Sequence, residues 1–241
     1  MDVEAERDGG SHGLAQVGAS LRPGTRLQRV RSGHSYGFVL MLVMLSFAFI
    51  ALAPGDDWAF ATLVLIEAAI LSVAIWTSGL VFGRFVIPIV LGIGAIAALA
   101  IVVDSSATTR GIVGGIETTF LIAACGVIVA GIWDQGEVNQ QSVLGALSIY
   151  MAIGILFTVV YSVLAHVGEG PFFAQGNDGD GSTRLYFSFV TLATLGYGDY
   201  TAATDLGRML AVVEALIGQL YLVTVVAVLV ANLGRTRAPR P

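Results

Sequence analysis

Arg184-Leu185-Tyr186-Phe187-Ser188-Phe189-Val190-Thr191-Leu192-Ala193 runs directly into Thr194-Leu195-Gly196-Tyr197-Gly198-Asp199. The first ten residues read as an apolar helix, about half the length of the roughly 20 residues that cross a bilayer. The six that follow carry glycine at alternate positions. A long apolar run, residues 206–233, comes next, and another, 143–167, comes before. A segment too short to span, set between two that can, is expected to be re-entrant or interfacial.

The rest of the chain agrees with a membrane environment. Of the 241 residues, 56% are hydrophobic and only 12% charged, with a mean hydropathy of +0.82. A soluble domain carries about a quarter charged residues. Six apolar runs are long enough to cross: 37–53, 58–80, 85–103, 112–133, 143–167 and 206–233. Pro54-Gly55-Asp56-Asp57 stops the first, and Asp104 and Asp134 end the third and fourth. The reading is an all-α membrane protein with six transmembrane helices, its one interruption lying between the fifth and sixth. Residues 1–36 are polar and Gly-rich and read as a disordered arm, with the first span acting as an uncleaved signal anchor. Residues 37–136 form a four-helix transmembrane region, 137–234 the segment around the short helix, and 235–241 a short tail.

Charge sets the orientation. Arg22, Arg26, Arg29 and Arg31 precede the first span, Arg84 separates the second and third, and Arg235, Arg237 and Arg240 follow the last. The other side holds Arg110, Arg184 and Arg208. By the positive-inside rule both termini are expected in the cytoplasm. The arginines before the first span serve topology first, with anionic lipid as a second partner. The single cysteine, Cys125, lies within an apolar run and is expected to pack rather than react.

The order helix, short helix, Thr-x-Gly-Tyr-Gly-Asp, long helix resembles the pore domain of potassium channels over residues 143–233. The usual Val of the motif is Leu195 here. The resemblance implies a re-entrant pore helix and a selectivity-filter loop. There, backbone carbonyls of Thr194, Leu195, Gly196 and Tyr197 replace the water of K+. Gly196 and Gly198 permit the left-handed backbone that turns successive carbonyls to one axis. One loop per chain gives a quarter of each oxygen ring, so a homotetramer is required. Tyr197 is expected to point away from the axis against Tyr186 and Phe187, and Asp199 to gather cations at the outer mouth. Where some family members carry a carboxylate behind the filter, this chain has Val190. Gly218 falls where relatives have a hinge, and close packing is an equal expectation. Gln219, Leu222, Val226 and Val230 share one helical face, which the family register turns toward the cavity. A bacterial plasma membrane is the expected location.

Ser182-Thr183 are candidate caps for the pore helix, and Asp178 and Asp180 are expected to be simply solvated. Four spans before a pore occupy the place of a voltage sensor, yet residues 112–133 carry no basic residue, so little voltage dependence is expected. Glu67 sits mid-span, where a carboxyl is costly. It is expected to be protonated and hydrogen-bonded within the bundle. Glu214, one-third along the last span, is expected to bond behind the filter or to the fifth span.

Alternatives are a non-selective cation channel, against which Tyr197 argues, and a secondary transporter, which would show internal repeats or paired broken helices. An intramembrane enzyme finds no Gly-x-Ser-x-Gly, His-Glu-x-x-His or paired-Asp arrangement. No cofactor other than permeant K+, no nucleic acid and no intrinsic ligand-binding domain are expected.

Overall fold

The computed structural model describes residues 35–53, 55–79, 83–135 and 140–232. The expectations for the arm, its arginines and the tail lie outside these residues. The described chain is helical throughout: α1 (Ser35–Leu52), α2 (Asp57–Ser78), α3 (Gly83–Val103), α4 (Ala107–Gln135), α5 (Gln140–Val167), α6 (Gly181–Leu192), α7 (Asp205–Tyr221), a π turn (Leu222–Val226) and α8 (Ala227–Asn232). Five of these stretches are long and apolar enough to cross a membrane, while α1 is an apolar helix just short of that length. At 1.5 Å per residue its 18 residues still rise about 27 Å.

Helix ends follow local chemistry. α2 stops at Gly79, whose φ of 71° provides a left-handed cap. Asp104 gathers the turn before α4, accepting from Thr109 Oγ1 at 2.6 Å and from Ser106 N at 3.1 Å. These hydrogen bonds, Thr109's foremost, hold its carboxyl below the usual range.

One apolar core runs from Tyr36 and Val43 in α1, through Ile70 in α2 and Leu121 in α4, to Ile155 in α5 and Leu192 in α6. α1 packs on α2, α5 and α6, α4 packs on α5, and α6 lies between α5 and α7. Phe47 of α1 meets Phe189 of α6 edge-on, ring centres 5.0 Å apart. The first four helices thus lean directly on the short helix. Conversely, Phe85, Ile89, Ile96, Leu99 and Val102 of α3 are exposed. Water would not tolerate such a contiguous apolar face, and lipid does.

Candidate functional site

The short helix begins at Asp180. Its carboxylate accepts from Thr183 N at 2.7 Å, from Thr183 Oγ1 at 2.7 Å and from Ser182 Oγ at 2.8 Å. The cap is therefore Asp180, and the Ser182-Thr183 pair, expected to cap, donates to it instead. Asp178 is not merely solvated either: its Oδ1 accepts from Phe172 N at 2.8 Å. Arg184, 4% exposed, pins this loop to α5. Its Nε donates to Ser162 Oγ at 2.7 Å, and its Nη1 to the carbonyls of Asp178 and Gly179.

At its other end α6 passes straight into the loop. Leu195 N donates to Val190 O and Thr194 N to Thr191 O, both at 2.9 Å. Three alternate residues then have positive φ: Thr194 (56°), Gly196 (56°) and Gly198 (79°). The two glycines meet this at little steric cost, whereas Thr194, a β-branched residue, is strained there. Handedness that flips at every second residue turns successive peptide planes, which is the backbone pattern the Gly-Tyr-Gly spacing anticipates. Residues 194–199 are exposed in the single chain.

Around the loop an aromatic and polar collar holds its shape. The rings of Tyr186 and Tyr197 stack at 6.4 Å with planes 9° apart. Tyr186 OH donates to Asp199 Oδ2 at 2.8 Å, and that bond keeps the phenol protonated above its usual range. Phe187, expected beside Tyr186 against Tyr197, turns the other way. It packs with Tyr161, Phe172 and Phe173, because neighbours in a helix lie about 100° apart. Gln175 Nε2 donates to Asp199 O at 2.7 Å. Ala174 N donates to Thr201 O and Ala203 N to Phe172 O, each at 2.8 Å, tying the segment before the short helix to the segment after the loop.

Behind the loop lies Glu214, fully buried. Tyr161 OH of α5 donates to its Oε2 at 2.6 Å, and Ser188 Oγ of α6 lies 2.5 Å from its Oε1. Both expected locations for its partners are therefore occupied. Ser188 Oγ is also 2.7 Å from Gly154 O. A hydroxyl has one proton for these two acceptors. The count closes when Glu214 carries a proton: Oε1–H donates to Ser188, and Ser188 donates to Gly154 O. Ser188 and Tyr161 were not singled out in the sequence. Several hydroxyls share their two helices, so no signal in the sequence distinguished these two.

Gly218 is where α7 crosses α6. A Cβ there would overlap the Leu192 carbonyl oxygen, so close approach demands glycine. Of the two expectations for Gly218, packing is what the contacts display. The irregular backbone comes later, in the π turn at Leu222–Val226. That turn inserts about one residue, so α8 is rotated relative to an unbroken helix and the face drawn through Gln219, Leu222, Val226 and Val230 is not continuous. Gln219 and Leu222 are exposed, and the side chains of Val226 and Val230 lie outside those described.

Glu67 is buried at 1% exposure, yet neither carboxyl oxygen has a hydrogen-bond partner. The expected bond within the bundle is not formed. Its charged neighbour is another acid, Glu117 of α4.

Residues 149–235 match the ion channel family, and over this segment the chain is similar to potassium channels. "Probable potassium channel protein 2" of Methanocaldococcus jannaschii is 37% identical over 84 residues, covering 34% of this chain and 22% of the relative. "Potassium channel subfamily K member 16" of Homo sapiens is 35% identical over 77 residues, 30% of this chain and 22% of the relative. Its Mus musculus namesake is 33% identical over 106 residues, 39% and 33% of the two chains. The chain thus spans a third or less of the length of these curated relatives. No solved structure matches it.

Proposed function

We propose that four copies of this chain surround one axis and conduct K+ passively across the membrane, with Thr194 to Gly198 supplying the filter. The observation that carries this is the alternation of left-handed backbone at Thr194, Gly196 and Gly198, directly after a short helix, in the segment that matches ion channels. A potassium ion sheds water only where other oxygens stand in for it, and stacked carbonyl rings do so. The exposure of residues 194–199 in the single chain, and of Met209, Val212, Leu216 and Leu220 along α7, supports an assembly that covers them. In it Tyr186 braces Tyr197, Asp199 collects cations at the mouth, Val190 holds the base of the loop, and Glu214 links the pore helix to both flanking spans. Both termini face the cytoplasm. K+ is the permeant ion and no further cofactor takes part.

Flux into liposomes holding the purified protein, under K+ or Na+ gradients, tests this beside a Gly196→Asp variant. K+-selective flux in the wild type that is lost in the variant supports it. Equal K+ and Na+ flux assigns a non-selective cation channel instead, and a protein that is monomeric when purified in mild detergent overturns the shared filter.

A further inference from the structure

At the filter-loop end of the helices lies a cavity of about 290 Å³, walled by α1, α2, α4, α5 and the loop that leads into α6. It sits at the lower edge of the ~300–1,000 Å³ range of small-molecule sites, a volume that suits a single-ring ligand. Phe49, Phe60, Leu63 and Val159 give it an apolar wall.

Most of its polar groups are engaged with one another, although Arg110 Nε is buried without a hydrogen-bond partner. Arg110 is paired with Asp57 at 2.5 Å. Arg184 is held by Ser162 and two carbonyls, Asp178 accepts from Phe172 N, and Asp180 caps α6. His166 Nδ1 is 2.6 Å from Ser162 O. Glu117 differs. It lines the cavity, is 2% exposed, and its Oε1 has no hydrogen-bond partner. It stands ten residues into α4, about 15 Å along the helix. An acceptor buried there without a donor is destabilised, and the Glu67 carboxyl with which it interacts is another acid.

We propose that this cavity is a binding site for a small organic ammonium, whose N–H groups meet Glu117 and whose apolar or aromatic body lies against Phe49 and Phe60. The ammonium supplies the donor that Glu117 lacks, while the cations of the wall are already held, Arg110 by Asp57 and Arg184 by Ser162 and two carbonyls. The site is separate from the filter and does not depend on ion conduction. A free amine and the headgroup of an ethanolamine lipid share this chemistry.

Calorimetric titration of 2-phenylethylammonium into the full chain in phosphatidylglycerol nanodiscs tests the site, with the neutral isostere 2-phenylethanol as control. Saturable binding of the ammonium, weaker by at least tenfold in Glu117→Gln and lost in the cavity-filling Leu63→Trp, is the expected result. Both variants are first checked for unchanged oligomeric state and helix content, and Leu63→Trp tests the site without touching the buried acid. Equal affinity for the alcohol and the ammonium, unchanged affinity in Glu117→Gln, or no saturable binding overturns the proposal. Repeating the titration with phosphatidylethanolamine in the discs assigns the source: competition identifies the lipid headgroup, and unchanged affinity identifies a free amine.

Discussion

Glu214 occupies a position that an apolar residue would fill in an ordinary span, and its value lies in the proton count around it. Tyr161, Ser188 and the Gly154 carbonyl form one chain with it, and that chain needs a donor at Oε1 and an acceptor at Oε2. Glutamine offers both. Glu214→Gln should therefore keep the thermal stability of the detergent-solubilised protein within about 1 kcal/mol, while Glu214→Leu, which strands the Tyr161 and Ser188 hydroxyls, should lose about 1–3 kcal/mol. Equal loss in the two variants would mean that an ionised carboxylate is required. The acid itself was legible in the sequence, as was its depth. Nine residues into α7 and six from the end of α5 place Glu214 and Tyr161 about 14 and 9 Å from the same end. Which hydroxyl reaches which oxygen was not legible, since that depends on how three helices rotate against one another. The divergence of Tyr186 from Phe187 has the same origin.

Elements tell a similar story with different forces. The cap at Asp180 opens the short helix, and Asp180→Ala should cost about 1 kcal/mol in unfolding experiments. Partial burial alone would raise the carboxyl, but hydrogen bonds from Thr183 and Ser182 outweigh it and leave it below its usual range. A depressed carboxylate stabilises the fold fully above the unfolded value near 4, and that contribution is lost as pH falls through the lower folded value. The gap between wild type and Asp180→Ala should close over that interval and stay constant above pH 5. Gly218→Ala should push α7 away from Leu192 and cost roughly 1–3 kcal/mol, measured as a lower midpoint of thermal dissociation. Spans and the short helix were legible because long apolar runs and helix breakers are local signals. The choice of Asp180 over Ser182 or Thr183 turned on a difference of two or three residues within one polar stretch. The π turn at Leu222–Val226 left no mark, because Leu-Val-Thr-Val-Val fits an α-helix equally well.

On the scale of the whole molecule, the four helices ahead of α5 carry no row of basic residues that a field would move. In α4 the one basic residue is Arg110, in the first turn and paired with Asp57. Each charge carried through the field is worth about 2.3 kcal/mol per 100 mV, so conductance in a planar bilayer should show no steep rise between −100 and +100 mV. Steep gating would place the sensor elsewhere. Five long apolar helices were legible from hydropathy, while the direct lean of α1 on the short helix through Phe47 and Phe189 was not, since no local pattern encodes which helix touches which. The cross-links between Phe172–Ala174 and Thr201–Ala203 clamp the base of the pore loop. Everything between those clamps is held in frame from within, so the exposed residues just upstream, Gly168-Glu169-Gly170-Pro171, are mechanically decoupled from the loop at residues 194–198. A ten-residue epitope inserted after Glu169 lengthens only that slack, at an entropic cost that grows with the logarithm of loop length. On the proposed function and orientation it should leave ion flux intact and be readable by antibody on unbroken cells.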